Sequence, residues 1–205
     1  MKKMGFMITF LGSVFLLTGC ASVQPSGYLD NYETLKSAAG LKKVASDPSL
    51  TFKEKKSLFV ETPKIELSGL KLTEIEAKGY AKRFSSILSS KLNESGLFLS
   101  VANGAEGVAY GTESYVLQSQ ISRLNPGNGF ARWFWGMGAG MSDVQIEGKL
   151  INKANDQTLM QFADRRRESG NPVLGFNVSS MNNDKQINRS IDNIIKSLVK
   201  YFNKV

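Results

Sequence analysis

The sequence predicts an α+β domain: a mainly antiparallel sheet of four to five strands with two long helices packed on one face, in the order strand, helix, four strands, helix. Two stretches, one before the middle and one at the C-terminus, repeat apolar residues at spacings of three and four, which is the period of an amphipathic helix. Between them, apolar and polar residues alternate with period two, as in strands that bury one side. The first 57 residues show neither pattern at length and are expected to lie outside the domain.

The chain opens Met1-Lys2-Lys3, continues through an apolar run from Phe6 to Leu17 and reaches Leu17-Thr18-Gly19-Cys20. A short positive region, about a dozen apolar residues and a small-residue site occur in the order of a signal peptide, so residues 1–19 are expected to be removed. The run is shorter than the roughly 20 residues of a membrane-spanning helix, and none like it follows. The only cysteine stands directly after Leu-Thr-Gly. This resembles the bacterial lipobox, which implies that Cys20 is the lipidated first residue of the mature protein. Each buried CH₂ contributes about 0.8 kcal/mol, so two or three acyl chains make a durable anchor. Ala21, rather than aspartate, follows the cysteine, which resembles the sorting signal for an outer-membrane lipoprotein facing the periplasm.

Removing Lys2 and Lys3 lowers the formal charge from +8 to +6. In the cell envelope, the anions for such a surface are headgroups, polysaccharides and acidic proteins, and no nucleic-acid partner is expected. There is no histidine, and the one cysteine is expected to carry lipid. Ser-His-Asp and Cys-His catalysis are thereby excluded, as are the usual zinc, haem and iron–sulfur ligand sets, so no metal or cofactor is expected.

Residues 20–57 read as the lipidated cysteine and a tether, interrupted by Pro25, Gly27, Gly40 and Pro48, with a possible short helix capped by Asp30 and Glu33. The domain is expected to span 58–205. Leu58-Phe59-Val60 opens a run toward Ile65 and Leu67 whose Pro63 suggests an edge strand or a bulge. Thr73 and Glu76 form a capping box, followed by Ala77, Tyr80, Phe84, Ile87, Leu88 and Leu92 on one helical face and Gly96 as its stop. Leu97–Val101 is a short strand, and Ser114–Leu124 alternates Tyr115, Leu117 and Ile121 with Gln118, Gln120 and Ser122. Val144, Ile146, Gly148 and Leu150, then Met160 and Phe162, form a hairpin around the polar turn Asn152–Gln157. Ile187, Ile191, Ile194, Ile195, Leu198, Val199 and Phe202 trace the closing helix.

Two segments are candidates for binding. Pro126-Gly127-Asn128-Gly129-Phe130-Ala131-Arg132-Trp133-Phe134-Trp135-Gly136-Met137-Gly138-Ala139-Gly140-Met141-Ser142 holds both tryptophans and five glycines. It reads as a phosphate cradle without the usual Lys-Ser/Thr, as a structural loop whose aromatics cover the sheet, or as a contact surface in which Arg132, Trp133, Phe134 and Trp135 anchor a partner. In Arg165-Arg166-Arg167, Arg165 and Arg167 share one face of a strand, either as a solvated edge or as an anion-recognising patch.

Taken together, these segments resemble a widespread group of bacterial lipoproteins that share a domain of unknown function. The resemblance is carried by the lipobox, Ser26-Gly27-Tyr28-Leu29-Asp30-Asn31-Tyr32, Arg132 with Gly136-Met137-Gly138-Ala139-Gly140, the turn Asn155-Asp156-Gln157-Thr158 and the closing helix. Leu159 stands where the group's turn has glycine. The expected function is a non-enzymatic, lipid-anchored binding or assembly module contacting an envelope protein or an anionic envelope polymer. The alternatives are a periplasmic carrier of an apolar ligand, or a glycan hydrolase using Asp143 with Glu147 or Asp164 with Glu168. Residues four apart on a strand lie about 13 Å apart, beyond the roughly 5 to 9.5 Å used by such carboxylate pairs.

Overall fold

A computed structural model describes residues 22–66, 71–104, 114–129, 140–168 and 182–205. The expected signal segment 1–19, Cys20 and the segment Arg132, Trp133, Phe134 and Trp135 lie outside the described residues.

Three long alternating strands, β6 (Ser114–Asn125), β7 (Ser142–Asn152) and β8 (Gln157–Glu168), pair antiparallel and form the middle of the sheet. Leu41 and Val44 start a further strand, β2 (Leu41–Ser46), which pairs antiparallel with β8 and carries β1 (Lys36–Ala38) outside it. On the other side, β3 (Ser57–Glu61) lies parallel to both β6 and β5 (Val101–Gly104), and β4 (Lys64–Ile65) also lies parallel to β6. The order β1-β2-β8-β7-β6-β3-β5, with β4 on β6, makes an eight-stranded mixed sheet.

This corrects the expected mainly antiparallel sheet of four to five strands, although the α+β class stands. The parallel pairs have a topological cause. Between β3 and β5 runs α1 (Glu74–Glu94), and a helix that crosses over from one strand to a neighbour returns the chain in the same direction. The extra strands come from 36–46, which had been expected to belong to a tether. Pro63 breaks one apolar run into β3 and β4. No helix forms at Asp30–Ala39; instead the Asn31 side chain accepts from Glu33 N at 3.2 Å and turns the chain.

Both described helices, α1 and α2 (Asn183–Phe202), cover one face of the sheet. The reciprocal Thr73–Glu76 capping box starts α1, and Gly96 at φ +66° follows its end. Ala77, Phe84, Leu88 and Leu92 of α1 and Ile187, Ile191, Ile194 and Leu198 of α2 pack on Leu117, Ile121, Ile146, Leu150 and Phe162. Phe52, Phe98, Tyr115 and Phe202 close one end of this core, with centroids 5.0 to 6.4 Å apart. Gly148 is opposite Phe162 in register, and the phenyl ring occupies the place a Cβ would take.

The molecule has two distinct ends. One is formed by Asn125, Ser142 and Glu168 together with the N-termini of both helices, since Thr73, Pro126 and Asn183 line one depression there. The β7–β8 turn and the helix C-termini lie at the other, where Lys153 N donates to Ser114 O and Leu99 N to Lys56 O. Along β6 the distance between ends is about 36 Å.

Candidate functional site

β7 alternates strictly. Val144, Ile146 and Leu150 enter the helix-covered core, so Asp143, Gln145, Glu147 and Lys149 must point to the opposite face. A bulge in β6 between Ile121 and Arg123 lets Ser122 and Arg123 both serve that same face. Arg165 joins them from β8, opposite Gln145. Asp143, Gln145, Glu147 and Arg165 are nevertheless buried, because residues 22–35 are laid across them as a strap.

Successive polar side chains of the sheet hold the strap. Arg165 grips Asp143 with two hydrogen bonds, Nε to Oδ1 at 2.8 Å and Nη2 to Oδ2 at 2.5 Å, and its Nη1 donates to Ser22 O at 2.9 Å. Such a two-pronged pair leaves the guanidinium one arm for the peptide. Bonding to Asp143 holds the Arg165 guanidinium above its ordinary pKa. Gln145 treats Gln24 as a neighbouring strand would, accepting from its N–H at 2.9 Å and donating to its carbonyl at 2.6 Å. The Gln24 side chain accepts from Arg123.

The Tyr32 hydroxyl is the next anchor. It donates to Glu147 Oε2 and accepts from the backbone N–H of Ser26 at 3.1 Å and of Leu29 at 3.3 Å, which folds the strap on itself. Glu147 Oε1 accepts from Ser122 at 2.5 Å and from Gln145 at 2.7 Å. Further along, Lys149 pairs with Asp30 at 3.1 Å and lies 5.7 Å from the centre of the Tyr28 ring. Burial, with the Glu61 and Glu147 charges adding to it, pushes the Tyr28 phenol up to about 12. A small apolar contact completes the seat: Leu29 and Leu35 pack on Ala163, flanked by Val23, Tyr28, Tyr32 and Ala45.

As chemistry, this arrangement is a clamp on a peptide. Asp143 and Glu147, one of the carboxylate pairs considered for hydrolysis, each have their oxygens engaged by partners. In the other pair, Arg166 holds only Oδ2 of Asp164, at 2.7 Å on the helix side, and Glu168 accepts from Asn193 at 3.1 Å. Burial pushes the Asp164 carboxyl up to about 6 against the opposing pull of Arg166 and Lys42. Among the described residues no group of three or more acidic, cysteine or histidine side chains could hold a metal ion.

Arg165 and Arg167 do share one face of β8, but only Arg167 is exposed; Arg165 is enclosed between Asp143 and Ser22. The strap contacts are residues that sequence reasoning missed. The signal available was the uniformly polar side of β7, which needs water or a cover. On the outer side of the helices, a groove of about 490 Å³ has Ile87, Ile195 and Val199 on its floor and Arg83, Lys91, Lys196 and Asp192 on its rim. Arg83 and Asp192 pair across it at 2.8 Å.

No curated protein matches the chain. Among solved structures, it is similar to the PelC dodecamer from Paraburkholderia phytofirmans, at 17% identity and a TM-score of 0.41 over 74% of this chain and 96% of that one. It is also similar to a Xanthomonas campestris protein of another family of unknown function, DUF330, at 12% identity and a TM-score of 0.47 over 78% and 89% of the two chains. A family profile described as a domain of unknown function, DUF4410, matches residues 34–168, more than half of the chain, and the protein belongs to that family.

Proposed function

We propose that the protein is a lipid-anchored component of the cell envelope, most consistent with the outer membrane facing the periplasm, whose body is a non-enzymatic binding or assembly module. The observation that supports this most is how near the lipobox cysteine the contacts with the sheet come: Ser22, the second residue after it, is bonded to Arg165. A chain cut before Cys20 would therefore keep every described contact of the strap. The apolar run of the signal lies ahead of this point, and no helix among the described residues is long and apolar enough to cross a membrane.

Binding, rather than catalysis, suits buried carboxylates that are each engaged by fixed partners. The contact residues we assign are Arg132, Trp133, Phe134 and Trp135, with Arg167 exposed on β8, while Arg165 holds the strap; Trp and Arg are the types that carry most interface energy. The experiment has two readings. The mass of the N-terminal peptide of envelope-extracted protein should show acylated Cys20, and Cys20→Ala should leave the membrane fraction. Crosslinked envelopes should then yield one specific partner with wild type that a Trp133→Ala, Trp135→Ala double variant of equal thermal stability loses. An unacylated Cys20, or identical partners in both samples, would contradict the respective part.

A further inference from the structure

Resting on the reading of Cys20 as the lipid-bearing residue, we infer that the domain stands end-on to the bilayer. The end at Asn125, Ser142 and Glu168 lies against the headgroup layer, and the β7–β8 turn points away from it. The argument is one of length. Ser22 O accepts from Arg165, and both backbone groups of Gln24 bond to Gln145. Only Ala21 separates Cys20 from Ser22, and two residue steps reach about 7 Å at most. The sheet is about 36 Å long in the strand direction, so this link is too short to let the domain tumble or turn its far end to the membrane.

The place where the link leaves decides which end is held. Asp143, whose carboxylate shares Arg165 with Ser22, is paired with Asn125 and Arg167 at the first rungs of the sheet. The occupant facing this end is the phospholipid surface that carries the anchor. Ile75 is 84% exposed on the first turn of α1 at the same end, with Lys71 exposed just ahead of the helix start. An uncovered aliphatic side chain at an end that also exposes a lysine suits a headgroup interface. The acids of that turn are engaged: Glu74 with Lys78 at 2.5 Å, and Glu76 in the capping box.

The test places a fluorophore at either end of the lipidated full chain. Ile75→Cys and Leu99→Cys each replace an exposed side chain, and acylation of Cys20 leaves the new thiol as the one that reacts. The proteins are reconstituted in phosphatidylethanolamine–phosphatidylglycerol vesicles containing a headgroup-spin-labelled quencher lipid. Quenching several-fold stronger at position 75 than at 99 is expected; equal quenching, or stronger quenching at 99, would overturn the orientation. The mass of the N-terminal peptide is read on the same samples. An unacylated Cys20 would overturn the anchor itself, whereas acylation with equal quenching would overturn the orientation alone. Inserting about twenty Gly/Ser residues between Ala21 and Ser22, a coil reaching about 25 Å, should erase the contrast. A contrast that survives the insertion would overturn the role given to the short link.

Discussion

On one face of the sheet, β6, β7 and β8 present Leu117, Ile146 and Phe162 to two helices; on the other, the same strands present Ser122, Glu147 and Arg165 to residues 22–35. Apolar contact is non-directional and scales with area, so the helix side is held by bulk. The strap is held by a few directional bonds, each of which depends on one named partner. Uncovered, the helix side would expose a hydrophobic core to water, whereas the strap side would expose groups that water solvates well. The two coverings should therefore differ in stability and in how they fail.

The largest effect expected from that contrast is on the helix side. Phe162→Ala removes a fully buried ring from the core and should lower stability by about 3–5 kcal/mol, read as a shifted denaturant midpoint with the whole domain unfolding at once. Arg165→Ala leaves the Asp143 carboxylate buried beside a more distant Arg123, 3.7 Å away. It should cost about 3 kcal/mol or promote opening of the strap, and proteolysis within 22–35 should precede unfolding of the sheet. A variant as stable as wild type with an intact strap would remove Arg165 from its assigned role.

Acidity sharpens the comparison on the helix side. The folded Asp164 carboxyl, pushed up to about 6, lies above its ordinary value near 3.9, so the folded state favours its protonated form. The stability this confers is full below about pH 4 and is lost as pH rises through 6. Relative to Asp164→Asn, wild type should gain about 2 kcal/mol between pH 7 and pH 4 in parallel denaturant titrations. An equal response of both proteins would show that burial does not control this carboxyl. The smallest effect is Tyr32→Phe, which removes the hydroxyl shared by Glu147, Ser26 and Leu29 and should cost about 1 kcal/mol, confined to the strap.

Elements with strong periodicity were legible in the sequence: α1 with its capping box, α2, β6 and the β7–β8 hairpin all fall where their spacing places them. The central strands were legible, but the width of the sheet was not. β1 is three residues and β4 two, too short for any period to show. The parallel pairing of β3 with β5 was implicit in a helix lying between two strands, yet periodicity carries no strand direction. The strap escaped for a different reason: its Gly, Pro, Ser and Asn composition is that of a tether, and what fixes it is the polar face of β7 more than 100 positions away. The sequence does contain that face, as Asp143, Gln145, Glu147 and Lys149, but not the identity of what covers it.

The claim that residues 22–35 are a folded part of the domain, rather than a tether, is tested most directly by amide hydrogen exchange at single-residue resolution. The N–H groups of Gln24 and Leu29 bond to Gln145 and Tyr32 and should exchange far more slowly than free peptide, with Tyr32→Phe releasing Leu29 while the amides of β6 and β7 keep their protection. Exchange of both amides at the rate of an unstructured peptide would contradict the docked strap.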